Sequence, residues 1–463
     1  MCHFLGSSEL TRRQFIHGGL TMSAAVMGAL PDGLEGRTKT SAVNQSMSNI
    51  DVARATSRWI EAAKATTEDG IFWLADPMDP DSAGMSLYHG SSGVVLFLLD
   101  LYRATDEKAY LDTACQGADA IMAVLRAETE LQPGLYTGLA GMVFCLAEVY
   151  AVSDDPKYFS GAVAGLDMLL GAARTVGAGM EWNAVTDIVG GSSGIGLTLL
   201  NLADTVGGSD LLAVATAAGH RLVELGLQTP SGLKWPMSPD YRRLMPNFSH
   251  GTAGVAYYLA TLYQKTGEER FLEAAVAGAR YLQSIASTGD GDVCLVFHNE
   301  PDGEDLFYLS WCHGPVGTAR LFYRLADITQ EDEWLVWANM CARGIMQSGI
   351  PEIRTAGFWN NVSQCCGDAG VGEFFKSMYH VTGDQSYREF LQRVRYSLLS
   401  RAVEDASGMR WPQAEHRTRP GLIAAQTGYM QGAAGVGAFF LHLDAMETGR
   451  KPIVALPDSP FAV

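Results

Sequence analysis

Residues 365–371 read Cys-Cys-Gly-Asp-Ala-Gly-Val, and the spacing of their two glycines, G-x-x-G, recurs in seven similar motifs between residue 88 and the C-terminus. Each copy opens an apolar run, such as residues 94–102 or 255–263, that is hydrophobic on nearly every side of a helix. A helix of that kind is buried among its neighbours. The copies follow one another every 48 to 65 residues, which suits two helices and two loops. Their first glycines are Gly90, Gly138, Gly191, Gly251, Gly314, Gly367 and Gly432.

Amphipathic segments with apolar residues three and four apart accompany these buried runs, as expected for outer helices. They cover residues 52–65, 108–125, 158–173, 211–225, 270–285, 334–346 and 387–401. We therefore predict an all-α protein, an α/α toroid (barrel) of seven helical hairpins whose inner helices are opened by the G-x-x-G motifs. The glycines would let the converging backbones approach closely. An open solenoid is the competing arrangement, but neither terminal repeat has the polar face of a cap.

The composition indicates a globular chain with a large core. Of 463 residues, 47% are hydrophobic and 18% are charged, which allows either a few ordinary domains or one large repeat domain. The formal net charge of −18 argues against a nucleic-acid backbone or an anionic membrane surface as partner. We predict no nucleic-acid partner, no stable membrane insertion and a monomer.

The N-terminus has the pattern of an export signal. Arg12 and Arg13 precede an uncharged, mostly apolar stretch that ends at Leu30, which resembles a twin-arginine signal. The alternative is a disordered N-terminus with chance arginines. Export would place the protein in the periplasm or outside the cell, and a non-functional signal would leave it in the cytoplasm. The predicted parts are a twin-arginine-type signal peptide (1–35), a linker (36–50) and the toroid domain (51–463).

Three of the eight cysteines stand one or two residues before the first glycine of a motif. Cys312 belongs to the fifth motif, and Cys365 and Cys366 belong to the sixth. Three thiolates leave one position of a tetrahedral zinc site open, as a catalytic zinc needs. The alternatives are a core thiol at 312 and an ordinary pair or a vicinal disulfide at 365 and 366.

The motifs resemble those of the lanthionine synthetase C-like (LanC-like) family, zinc enzymes that form thioether rings in lantipeptides. The resemblance runs from about residue 50 to the C-terminus and rests on three segments: Ser249-His250-Gly251, Trp311-Cys312-His313-Gly314 and Cys365-Cys366-Gly367. It implies an α/α toroid and a Zn²⁺ ion held by Cys312, Cys365 and Cys366. The Cys-Cys-Gly sequence is a variant, because histidine is commoner at position 366.

The resemblance also implies an acid–base pair, with Asp187 in the place of the family's aspartate and His250 in that of its histidine. Each has a simpler interpretation: Asp187 could cap the following helix, and His250 could be a hydrogen-bonded core histidine. His89 and His313 are expected to form part of the cavity wall. Bacterial cyclases tend to carry arginine four residues before the first cysteine, and this chain has Tyr308 there.

We predict zinc-dependent addition of a thiol to a dehydroamino acid, which forms a lanthionine or related thioether. The substrate would be a dehydrated peptide or a small thiol such as glutathione, because residues 310–314 look closer to eukaryotic relatives that bind glutathione. A non-catalytic zinc- or thiol-binding protein and a scaffold without metal remain alternatives. A glycoside hydrolase or sugar epimerase would use carboxylates among Asp187, Asp368 and Glu373 and leave the cysteines without a role.

Overall fold

The computed structural model describes residues 46–127, 130–207, 209–450 and 454–461. The predicted signal peptide, with Arg12 and Arg13, and most of the predicted linker lie outside these residues. Within them the chain forms fourteen α-helices and ten short strands. None of the described helices is both long and apolar enough to cross a bilayer.

The helices alternate between an outer and an inner layer. The outer helices are α1 (Asn49–Ala62), α3 (Lys108–Ala127), α5 (Pro156–Gly171), α7 (Ser209–Leu225), α9 (Glu269–Ile285), α11 (Asp332–Gln347) and α13 (Gln385–Arg401). The inner helices are α2 (Ser91–Thr105), α4 (Leu139–Ser153), α6 (Ser192–Thr205), α8 (Thr252–Thr266), α10 (Pro315–Thr329), α12 (Asp368–Thr382) and α14 (Ala433–Thr448). Every inner helix begins directly after the first glycine of a motif, as predicted.

The inner helices close into a ring. Each contacts the next along the chain, and α14, the last, contacts α2, the first. The outer partner of α14 is α1, so the two ends of the described chain complete one hairpin together. The predicted α/α toroid of seven hairpins is confirmed, and the open solenoid is excluded.

Backbone hydrogen bonds join the seven motifs into a second closed circle, which we call the motif ring. Each bond runs from an amide N–H of one motif to a carbonyl of the next. The bonds are Tyr88 to Tyr136 (2.9 Å), Tyr136 to Val189 (3.0 Å), Ile188 to Ser249 (3.2 Å), Ser249 to Cys312 (2.9 Å), Cys312 to Cys365 (3.2 Å), Cys365 to Met430 (2.9 Å) and Met430 to Tyr88 (2.9 Å). The ring thereby sets motif residues of neighbouring repeats side by side at the inner helix starts.

The motif glycines are needed because the preceding loop folds back onto the first helical turn. A Cβ on Gly251 would lie 1.4 Å from the carbonyl oxygen of Met245, and one on Gly254 would lie 2.1 Å from that of Phe248. No side chain fits at such distances, so the close approach requires glycine.

Five two-stranded antiparallel hairpins were not predicted from the sequence. They are β1 (Lys64–Thr67) with β2 (Gly70–Trp73), β3 (Arg174–Val176) with β4 (Gly179–Glu181), β5 (Leu227–Thr229) with β6 (Gly232–Lys234), β7 (Val403–Asp405) with β8 (Gly408–Arg410), and β9 (Gln413–Ala414) with β10 (Ile423–Ala424). Strands of two to four residues are too short to show an alternating pattern. The predicted outer helix over residues 52–65 is therefore wrong at its end, since the helix stops at Ala62 and Lys64 begins β1.

Candidate metal centre and active site

Three cysteine sulfurs converge at the inner helix starts. The Sγ atoms of Cys312, Cys365 and Cys366 all lie within 4.8 Å of one another, and all three residues are buried. Cys366 Sγ is 3.4 Å from that of Cys312 and 3.3 Å from that of Cys365. Zn–S bonds of about 2.3 Å in a tetrahedral site place two sulfurs roughly 3.8 Å apart, so small shifts would let one ion contact all three thiolates.

The sulfurs are thiols. A disulfide needs an S–S distance of about 2.05 Å, and none of the seven cysteines that the structure describes forms a disulfide. The predicted alternative of a vicinal disulfide at 365 and 366 does not match this arrangement. A donor set of three buried thiolates suits a soft or borderline cation such as Zn²⁺.

Two polar side chains that the sequence analysis missed donate to these sulfurs. Tyr88 Oη donates to Cys365 Sγ at 2.9 Å, and Gln431 Nε2 donates to Cys366 Sγ at 3.6 Å. Gln431 Nε2 also lies 3.2 Å from Tyr88 Oη. Both residues occupy, in the first and seventh motifs, the positions that the cysteine pair occupies in the sixth. That shared position was the available signal, because the motif ring places these repeats side by side.

Asp187 and His250 meet as one hydrogen-bonded pair. His250 Nδ1 lies 2.6 Å from Asp187 Oδ2. The other carboxylate oxygen of Asp187 accepts the amide N–H groups of Gly190 and Gly191, at 2.8 and 3.0 Å. Asp187 does not cap α6, whose N-cap is Gly191. Its backbone bonds fix the carboxylate, and its contact with Nδ1 in turn orients the imidazole.

An open cavity lies beside these groups, with about 660 Å³ of empty space including the solvent at its mouth, and Cys312, Cys365 and His250 all border it. Part of its wall is apolar or aromatic and comes from Val189, Met237, Tyr241, Met245 and Trp311. The cavity therefore combines thiol sulfurs, an oriented imidazole and a surface able to hold an apolar substrate portion.

The model of the lanthionine synthetase C-like proteins matches residues 81–456 of this chain. The chain belongs to that family. Among solved structures, nisin cyclase is similar to it with a TM-score of 0.58 and 17% identity, over 86% of this chain and 94% of that chain. The Lin0763 protein from Listeria innocua is similar with a TM-score of 0.53 and 15% identity, over 87% and 99%. At such identities the likeness shows a shared fold. No curated protein sequence matches the chain.

The two other histidines that precede motif glycines in this LanC-like protein, His89 and His313, differ in their exposure to the cavity. His89 borders the cavity, whereas His313 is fully buried and its ring centroid lies 5.6 Å from that of His250. The expectation that His313 lines the wall is therefore wrong. Tyr308, at the position of the arginine of bacterial cyclases, is also buried, and its ring packs 5.2 Å from Trp359.

The carboxylates that a glycoside hydrolase would need are engaged separately in this LanC-like toroid. Asp187 is bonded to His250, as described above. Asp368 pairs with Arg354 at 2.9 Å, and Glu373 lies 2.5 Å from His442 Nδ1. Glu373 borders a second cavity, on the far side of Trp311. This arrangement gives no support to the sugar-active alternatives.

Proposed function

We propose that this LanC-like protein holds one Zn²⁺ ion through Cys312, Cys365 and Cys366 and adds a thiol to a dehydroamino acid. The strongest support is that two of these cysteines and the oriented imidazole of His250 border one cavity. Family membership supports the same chemistry. The thiol is either a cysteine of a dehydrated peptide or a small thiol such as glutathione.

The charges of the site fit this reaction. When bound, Zn²⁺ with three thiolates keeps one position open and favours the thiolate form of a substrate thiol. The hydrogen bonds from Tyr88 and Gln431 offset part of the negative charge on Cys365 and Cys366. Attack of the thiolate on the β-carbon leaves an enolate, which needs a proton at the α-carbon. His250, held in place by Asp187, supplies that proton.

Metal content is the first test. Protein purified under reducing conditions should carry about one zinc per chain, as a three-ligand site implies. Cys365→Ser should lose the metal and keep its helical circular-dichroism signal, since the core of the toroid is apolar. The control is Cys115→Ser, on outer helix α3 and outside the cluster, which should keep both. Absence of zinc from the unmodified protein would disprove the metal site.

Addition to a dehydroalanine peptide separates a catalyst from a thiol-binding protein. His250→Asn keeps a polar side chain but cannot shuttle a proton, so the rate should fall by roughly a hundredfold. Zinc content and thiol affinity should stay unchanged. Equal rates would remove His250 from the mechanism. If the unmodified protein binds thiols but adds none of them, it is a non-catalytic binder.

A further inference from the structure

A second histidine–carboxylate pair borders the same cavity. His89 Nε2 lies 3.2 Å from Glu415 Oε1, whose partner oxygen accepts the side-chain N–H of Gln426 at 2.9 Å. Burial opposes ionisation of Glu415, but the bond and charge of His89, with help from His416 and Gln426, hold its pKa at about 2. Glu415 is thus a carboxylate and accepts a hydrogen bond from Nε2 of His89. In the tautomer that makes this bond, Nδ1 is the ring nitrogen that can accept a proton.

The two pairs stand on either side of the thiol cluster. Along the motif ring, Ser249 is bonded to Cys312, Cys312 to Cys365, Cys365 to Met430 and Met430 to Tyr88. His250 follows the first residue of this series and His89 follows the last. The cysteines of the fifth and sixth repeats therefore lie between the histidines of the fourth and first repeats.

The two histidines differ in exposure. The side chain of His89 is 40% exposed and that of His250 is 11% exposed. A proton accepted by His89 can pass readily to water, whereas the more enclosed His250 exchanges its proton with water less readily. The exposed His89 is therefore suited to act as a base that releases its proton to water after each turnover. The enclosed His250 is suited to act as an acid that donates its proton to one carbon atom.

We propose that His89, oriented by Glu415, takes the proton of the incoming thiol while His250 protonates the α-carbon. This inference rests on the proposed thiol addition. The S–H bond breaks and its proton goes to Nδ1 of His89. The sulfur electron pair forms the S–Cβ bond, and the π electrons of the alkene move to the enolate. His250 then donates a proton to Cα, His89 releases one to water and His250 regains one. Reactants and product balance without an oxidant or a further reactant.

Two thiols of different acidity test this assignment. An alkyl thiol with a pKa near 8.5 arrives protonated at pH 7, whereas an aryl thiol of lower pKa arrives as the thiolate. His89→Gln should slow addition of the alkyl thiol by roughly a hundredfold and leave the aryl thiol within about twofold. His250→Asn should slow both thiols alike. Zinc content should be equal in all variants.

A matched control is available on the outer surface, where His220 Nε2 lies 3.0 Å from Glu268. His220→Gln removes a pair of the same kind far from the cavity and should change neither rate. Glu415→Gln should show the selective loss of His89→Gln in weaker form. If circular dichroism shows that His89→Gln does not fold, Glu415→Gln takes its place in the test. It should then slow addition of the alkyl thiol more than addition of the aryl thiol.

Proton release provides a readout that does not depend on turnover. Calorimetry in buffers of different ionisation enthalpy counts the protons released when the zinc-loaded protein binds an alkyl thiol without electrophile. The unmodified protein should release measurably fewer protons than His89→Gln, because at equilibrium with water a fraction of the His89 rings keeps the proton taken from the thiol. Equal proton counts, or equal slowing of both thiols, would overturn the role of His89. A lack of any addition by the unmodified protein would instead refute the proposed function.

Discussion

At the scale of single residues, a histidine and a carboxylate at the second cavity have strongly shifted pKa values, and the histidine, His442, joins three inner helices. Its Nδ1 contacts Glu373 of α12, and its Nε2 lies 3.6 Å from Asp100 Oδ2 of α2. Burial disfavours the imidazolium, yet the charge of Glu373 and the nearby carboxylate of Asp100 raise the pKa of His442 to about 9. Burial likewise opposes ionisation of Glu373, but His442 and Lys376 lower its pKa to about 2.

These shifts predict how stability depends on pH. The contribution of His442 is complete below its ordinary pKa of 6.5 and is lost as the pH rises through about 9. That of Glu373 is complete above 4.5 and is lost as the pH falls through about 2. The pair therefore stabilises the fold most between about pH 4.5 and 6.5. His442→Gln should flatten the decline of the unfolding free energy between pH 6.5 and 9 in urea titrations. His220→Gln should leave that decline intact, and parallel curves for all three proteins would contradict the assignment.

The sequence predicted some residues of the candidate site and missed others for a physical reason. Cys312, Cys365 and His250 stand in the motifs, so their repeat positions already placed them together. Glu415 lies in the loop between β9 and β10, and its partner His89 is 326 positions away. Neither the repeat pattern nor the spacing of apolar residues predicts the conformation of that loop. The contact could be found only once the loop and the first motif were placed in three dimensions.

At the scale of elements, residues 454–461 return from α14 into the centre of the toroid. Asp458 is fully buried there and accepts hydrogen bonds from Tyr136 Oη (2.9 Å), Trp311 Nε1 (3.2 Å) and Arg320 (2.7 Å). Trp311 directly precedes Cys312. Residues 454–461 therefore help to fix the position of Trp311, next to the candidate metal ligand Cys312.

Removing this carboxylate should be costly, because it leaves the mostly buried Arg320 without its counter-charge. Asp458→Ala is expected to lower the free energy of unfolding by about 3 to 5 kcal/mol, measured by urea titration. A second change, Arg320→Met, should restore part of that loss. The exposed pair of Glu352 and Arg393 is the control, since Glu352→Ala should cost less than about 1 kcal/mol. A loss of that small size in Asp458→Ala would show that the segment is not anchored by its charge.

Regular elements were predictable where a long pattern encodes them, and short ones were not. Outer helix α9, for example, was placed within one residue of its observed bounds, because its apolar spacing persists over four turns. Three of the β-hairpins share a sequence feature that could have been recognised. Each is followed directly by a tryptophan whose indole N–H donates to the carbonyl thirteen residues earlier. The pairs are Trp182 with Leu169, Trp235 with Leu222 and Trp411 with Leu398. This repeated tryptophan could have indicated a common local structure.

At the scale of the whole molecule, closure depends on many small rotations between repeats. Seven motifs in the sequence predict seven hairpins, but the angle between neighbours is set by packing and is not written in any one repeat. The hydrogen bond from Met430 to Tyr88 and the pairing of α14 with α1 complete the ring. Closure also brings the first and seventh repeats, with Tyr88, His89 and Gln431, to the cysteine pair. The candidate site therefore exists only in the closed toroid.

The cellular location of the protein is predicted from an N-terminal segment that lies outside the described residues. Arg12 and Arg13 precede an apolar stretch, and twin-arginine transport carries folded proteins. Folding before export would let the three cysteines bind the metal in the reducing cytoplasm. The protein would then carry its metal before it reached an oxidising compartment, where Cys365 and Cys366 could form a disulfide. Changing Arg12 and Arg13 together to lysine should hold the precursor in the cytoplasm, as measured by cell fractionation and immunoblotting. The same change at the second arginine pair, Arg242 and Arg243, should leave export normal. Normal export of the Arg12 and Arg13 variant would indicate the general secretory route, and the metal would then have to be acquired after the membrane has been crossed.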